Sequence, residues 1–175
     1  MREVEHRRHS RRDPGGPHLN GEGREIARRV APLLGRFDRV VSSPIPRAVE
    51  TVEALGLKVD ATLADLAMVA EEVQRVLEAY PPTSFADYVS LARRRRVVAE
   101  FARRQANLMR EELERLPDGG RLLIISHGGV IELGAAGARP QDIRSFGPTA
   151  GYLEGVRLGL DDGDWVRAEP VRVPP

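Results

Sequence analysis

Four consecutive aliphatic residues, Leu122-Leu123-Ile124-Ile125, narrow most sharply what this chain can become. They follow a turn sequence, Pro117-Asp118-Gly119-Gly120, and end at Ser126-His127-Gly128-Gly129. A strand without polar alternation needs cover on both faces, the condition of a central strand in a parallel sheet flanked by helices. Helices and strands alternate through most of the remaining length. The expected fold class is therefore α/β, three layers with a mainly parallel sheet in the middle, in a single domain spanning 1–175.

The other elements follow from local chemistry. Residues 2–8 predict a first strand, an unusual one because Val4 is its only aliphatic residue; either its charged groups satisfy one another or it lies near an edge. Asp13-Pro14-Gly15-Gly16-Pro17 is a loop. Asn20 caps a predicted helix over 21–34, kinked or ended early at Pro32 and otherwise stopped by Gly35. Residues 39–42 form a short strand, and Pro46 opens a helix that ends before Gly56. A third strand is expected at 57–59, then a helix over 69–80 closed by Pro81-Pro82. One long helix is expected from Thr83 or Ser84 to Leu116, carrying the run Arg93 to Arg96. After the aliphatic strand come a short helix to about Ala136 and two strands near 151–158 and 165–173, joined by Asp161-Asp162-Gly163.

Composition removes several functions. The chain has no cysteine, so disulfides and thiolate metal sites are excluded, and its four histidines lack ligand spacing. No metal and no cofactor are expected. A net charge of +1 argues against a general polyanion binder, and the arginine run lacks the interleaved aromatics of a nucleic-acid groove; it reads as a solvated helix face, and no nucleic-acid partner is expected. No apolar run approaches a membrane span, and the charged N-terminus lacks the apolar centre of a signal peptide, so no membrane and a cytoplasmic location are the expectation.

In open α/β sheets, ligands bind beyond the carboxyl ends of the strands. Three such ends carry reactive or cationic side chains: Arg8 and His9 after the first strand, Arg47 one turn past the second, and His127 after the aliphatic strand. Two guanidiniums and two imidazoles meeting in one pocket suit a phosphoryl group.

In series, Arg8-His9-Ser10, Leu19-Asn20-Gly21-Glu22-Gly23, the stretch Ser42-Ser43-Pro44-Ile45-Pro46-Arg47-Ala48-Val49-Glu50-Thr51, and Ser126-His127-Gly128-Gly129 resemble the histidine phosphatase superfamily, whose fold is phosphoglycerate mutase-like. The four motifs occur in that family's order and cover most of the chain. The resemblance implies that His9 is the nucleophile, that Arg8, Arg47 and His127 hold the phosphoryl oxygens, and that the reaction is metal-independent hydrolysis through a phosphohistidine. The implied partner is a small phosphorylated substrate or a phosphohistidine protein. A non-catalytic phosphate-binding or regulatory domain of the same fold is the alternative, and a phosphoglycerate mutase-type phosphotransferase a more distant one.

The chain also departs from the family pattern. Ser10 stands where the family usually has Gly, and Arg11 and Arg12 replace the small polar residues of the phosphate loop. The family's general acid is a Glu in a Leu-x-Glu segment before a Gly-rich stretch. This chain reads Leu63-Ala64-Asp65 there without the glycines, so Asp65 is the positional match, with Glu71 and Glu72 as alternatives. A weak acid points to a phosphoramidate substrate, whereas Ser126-His127-Gly128-Gly129 looks more like the ester-cleaving branch.

Overall fold

The computed structural model describes residues 1–174. The aliphatic run forms β4, Arg121–Ser126, and it is central as its composition requires. The other strands are β1 (Arg2–Arg8), β2 (Arg39–Ser42), β3 (Ala61–Thr62), β5 (Gly155–Asp161) and β6 (Asp164–Val171), in the order β3-β2-β4-β1-β5-β6. The first four run parallel; β5 pairs antiparallel with β1, and β6 antiparallel with β5. The sheet is thus mixed, mostly parallel with an antiparallel hairpin on one side.

Helices cover both faces. On one side, α1 (Gly21–Val30) and α2 (Pro46–Ala54) pack Ala27, Val30, Ala48 and Val52 onto Leu123 and Ile125. On the other, α3 (Glu71–Ala79), α4 (Phe85–Arg94), α5 (Arg96–Glu114), α6 (Val130–Ala138) and the short α7 (Pro140–Ile143) bury a larger cluster against Val4, Val41, Leu122 and Ile124. Both faces of β4 are therefore dry, which explains its unbroken apolar sequence. Among the described residues, no helix is long and apolar enough to cross a membrane.

The charged first strand is not at an edge: β1 lies between β4 and β5. Its charges satisfy one another and their neighbours. Glu5, only 3% exposed, accepts from Arg7 Nε at 2.6 Å and from Arg157 on β5 at 3.1 Å. Arg7 also donates to the Leu153 carbonyl. His6 pairs through Nε2 with Ser126 Oγ on β4 at 2.6 Å. An ion cluster thus takes the place of aliphatic packing on the stretch that delivers His9.

Three predicted elements change. Strand pairing begins not at Leu57 but at Asp60, whose N–H donates to the Val40 carbonyl while its carboxylate accepts from the Val40 N–H; Leu57 and Val59 pack sideways against α1 and α2 instead. The long helix is two, because Arg95 is extended (φ −127°, ψ 113°). A straight helix over 84–116 would run about 50 Å; the break lets α4 and α5 both bury apolar faces in the same cluster. The arginine run straddles this break, with Arg95 stacked on Tyr80 and Arg96 paired to Glu100. The first helix ends at Val30, and Pro32 sits in a short 3-10 turn over 31–33.

Candidate functional site

The ends of β1 and β2 are sewn to β4 and to the residue that leads into β5. His9 N–H donates to the Ser126 carbonyl, Ser43 N–H to the Ile125 carbonyl, and Arg8 N–H to the Glu154 carbonyl. Arg8, His9, Arg47 and His127 consequently line one cavity of about 330 Å³, shared with Arg12, Pro82, Tyr88, Gly128, Glu132, Thr149 and Ala150. The four residues expected to converge do so.

His9 is buried and oriented by its neighbours. Its Nδ1 lies 2.7 Å from the carbonyl of Ser10, which fixes the proton on that nitrogen and leaves Nε2 unprotonated, with its lone pair facing Arg47. Arg47 Nε donates to that Nε2 at 3.1 Å. Burial first, and then the guanidiniums of Arg47, Arg8 and Arg12, hold His9 down at about 4, against the weaker pull of the Ser10 carbonyl. The imidazole is neutral at physiological pH, as a nitrogen nucleophile must be.

His127 faces it, the ring centroids 5.1 Å apart, with Nε2 bonded to Ser43 Oγ at 2.8 Å and Nδ1 without a protein partner. Burial, then the proximity of His9 and Arg47, lowers it to about 3. Arg8 lies over the Tyr152 ring and donates to the Ala150 carbonyl, while its Nε has no partner. Arg12 donates to the carbonyls of Asp13 and Gly16. Among the described residues, Arg8, Arg12 and Arg47 form no salt bridge, although most other arginines near a carboxylate do.

The phosphate-loop departures are built into this frame. Ser10 Oγ donates to the Gly23 carbonyl at 2.6 Å and its N–H to Thr51 Oγ1, so the hydroxyl ties the loop to α1 and α2. Gly23 is obligatory: a Cβ there would stand 1.9 Å from the Arg11 carbonyl oxygen. Glu50 does not pair with Arg47; it takes His18, the Leu19 N–H and Arg24, which keeps His18 away from the cavity.

The carboxylates expected to serve as acid lie elsewhere. Asp65 is exposed on a 3-10 turn and lines a separate cavity of about 590 Å³ with Met68, Glu71, Phe101 and Arg104. Glu71 pairs with Arg75, and Glu72 is exposed on α3. None of the three lines the cavity that holds His9. The carboxylate that does line the His9 cavity is Glu132, which sequence reading passed over. It is fully buried, accepting from the N–H groups of Gly129 (2.7 Å) and Ala150 (2.9 Å), and burial raises its carboxyl despite those bonds. Its signal in the sequence was a lone acid in the first turn of a helix, the ordinary place for one. Tyr88, also buried, sits nearby with its hydroxyl pushed up by burial and by Glu132. Among the described residues, no group of three or more His, Cys, Asp or Glu could hold a metal ion.

The sequence profile of the histidine phosphatase superfamily (branch 1) matches residues 3–168. No curated protein sequence matches the chain. Similar solved structures include phosphoserine phosphatase from Entamoeba histolytica, with a TM-score of 0.73 at 15% identity, covering 99% of this chain and 98% of that one. A mycobacterial glucosyl-3-phosphoglycerate phosphatase superposes with a TM-score of 0.67 at 21% identity, over 98% of each chain. Phosphoglycerate mutase from Bacillus anthracis gives 0.67 at 16%, over 97% of this chain and 92% of that one.

Proposed function

Because the chain belongs to the histidine phosphatase superfamily, we propose that it is a metal-independent phosphatase working through a phosphohistidine at His9. One observation carries the reading: a buried neutral imidazole presents its unprotonated Nε2 to guanidiniums that have no carboxylate partners. The Nε2 lone pair attacks phosphorus as the bond to the leaving oxygen breaks, that oxygen taking a proton from solvent, and Arg8, Arg47 and His127 take the equatorial oxygens. Water then attacks phosphorus, the P–N bond breaks, and neutral His9 is regenerated. Its Ser10 contact keeps the same tautomer in both steps.

The substrate is a small phosphomonoester. A second reading, phosphohistidine as substrate, is favoured by the absence of an exposed carboxylate among the described residues lining the cavity, since a phosphoramidate leaves without an enzyme acid.

Release of phosphate from an aryl phosphate in chelator-containing buffer tests the proposal. His9→Ala is expected to lose more than about a thousandfold in turnover, and brief mixing of wild type with substrate is expected to leave an acid-labile, alkali-stable phosphoryl group on the protein. Asp65→Asn is expected to stay within about threefold on both aryl and alkyl substrates. Undiminished turnover in His9→Ala would overturn the mechanism. No ester hydrolysis alongside rapid cleavage of a phosphohistidine peptide would select the second reading.

A further inference from the structure

Three carboxylates are buried among the described residues, those of Glu5, Glu112 and Glu132. Two of them sit among guanidiniums: Glu5 takes Arg7 and Arg157, and Glu112 takes Arg39 and Arg115. Glu132 forms no salt bridge, although it is 0% exposed and burial pushes its carboxyl up. A buried acid without a cation is costly, so what holds it there points to its task.

Its two oxygens are divided between two segments. Oε2 accepts from the Gly129 N–H at 2.7 Å, in the turn that presents His127, and Oε1 accepts from the Ala150 N–H at 2.9 Å, in the segment that leads into β5. The carbonyl of that same Ala150 accepts from Arg8 at 3.1 Å. A continuous path therefore runs from Arg8 through Ala150 and Glu132 to the turn just past His127. Arg8 also packs on this turn directly, since a Cβ at Gly128 would lie 3.8 Å from its Cζ. With both oxygens engaged and no exposed surface, Glu132 is placed to hold its neighbours and not to meet a leaving oxygen. Helix capping alone does not account for it. Asp87, at the corresponding position of α4, accepts from the Ser84 N–H at 2.9 Å and closes the same kind of cap with a shorter, half-buried side chain. The extra methylene of Glu132 serves the bond to Ala150.

We propose that Glu132 is a positioning residue, a strut that fixes the span between Arg8 and His127 and so fits the pair to the transition state for phosphoryl transfer. This rests on the phosphatase reading of His9. As phosphorus passes through its transition state the equatorial oxygens spread into one plane, and donors fixed at that wider span favour it over the bound ester. Displacing such donors by about 1 Å costs up to about a hundredfold in rate.

Wild type, Glu132→Gln, Glu132→Asp and Glu112→Gln are assayed on p-nitrophenyl phosphate, well below their melting temperatures. Glu132→Gln turns an amide N–H toward one of the two backbone N–H groups, and Glu132→Asp keeps the cap but falls short of Ala150. Both are expected to lose about ten- to a hundredfold in kcat, with KM within about threefold of wild type. Glu112→Gln breaks a buried pair with Arg39 at the start of β2, the end of the sheet away from the cavity, and is expected to lower the melting temperature and leave kcat unchanged. Orthovanadate and inorganic phosphate, titrated calorimetrically, read the same span without turnover: wild type is expected to prefer vanadate, and Glu132→Gln to weaken vanadate about tenfold more than phosphate. Full kcat in Glu132→Asp would overturn the strut, because the cap alone would then suffice. An equal loss of kcat in Glu112→Gln would also overturn it, tracing the effect to destabilisation. A wild type without turnover whose vanadate preference falls in Glu132→Gln would overturn the phosphatase and spare the strut. A preference unchanged in that variant would overturn the strut whatever the turnover.

Discussion

Acidification is the perturbation to which this architecture is most exposed. Three of its four histidines, His6, His9 and His127, are buried, and all three are held neutral: His6 at about 3, His9 at about 4 and His127 at about 3, with burial the leading cause in each. In the unfolded chain each returns to about 6.5. A base whose folded value is depressed contributes stability in full above the unfolded value and loses it as pH falls toward the folded value. Between about pH 7.5 and 5 the unfolded chain therefore takes up close to three protons that the native state refuses. Each is worth about 2 kcal/mol at pH 5, so the three imidazoles together lose about 6 kcal/mol, a large part of the stability of an ordinary domain, offset in part where Glu132, its carboxyl raised by burial, takes up a proton in the native state. This window lies above the range where carboxylates dominate. Urea unfolding at a series of pH values reads the loss directly, and thermal melts are expected to fall by roughly 12–24 °C over the same interval. His6→Gln removes one of these protons, because His6 does not line the cavity and makes a single side-chain bond to Ser126; its stability is expected to depend on pH about a third less steeply. A wild-type loss below about 2 kcal/mol would refute the account of three neutral imidazoles.

Two substitutions probe the frame around the site. Glu5→Gln leaves Arg7 and Arg157 without their carboxylate in the middle of the sheet, and is expected to cost about 3–5 kcal/mol in urea unfolding, whereas Glu3→Gln, which breaks the more exposed pair with Arg167, should cost less than about 1 kcal/mol. Gly23→Ala drives a methyl group into the Arg11 carbonyl, and is expected to cost about 1–3 kcal/mol and to weaken phosphate binding severalfold by displacing the loop that carries Arg12; unchanged phosphate affinity would show the loop to be decoupled from the site.

What was legible in the sequence was whatever local chemistry decides. The aliphatic β4, the Asn20 cap, the Pro46 start and the hairpin at Asp161-Asp162-Gly163 fell where their residues put them, and the strand-end rule gathered Arg8, His9, Arg47 and His127. What failed depended on partners distant in the chain. Whether β1 was internally satisfied or near an edge stayed open because one partner of Glu5, Arg157, lies 152 residues away. The single long helix missed its break because Arg95 has nothing in its own sequence to forbid helix; packing of two apolar faces decides it. Asp65 matched by position, yet it lines a different cavity from His9, and Glu132 escaped notice because an acid in a first helical turn is unremarkable until the turn proves to be buried.

The direction of β5 has a wider consequence. Running antiparallel to β1, it begins at the edge where β1, β2 and β4 end, so the segment that leads into it, with Thr149, Ala150 and Tyr152, roofs the cavity. That roof is laced to the start of α4, where Phe85 N–H meets the Gly147 carbonyl and Thr149 N–H the Thr83 carbonyl. Walls and roof thus come from different stretches of chain: Arg8, His9, Arg47 and His127 from strand ends and a helix start fixed in the core, Pro82, Tyr88, Thr149 and Ala150 from two segments stitched to each other. Sequence drift in 80–88 and 146–152 can recut the lock while the bolt stays in place.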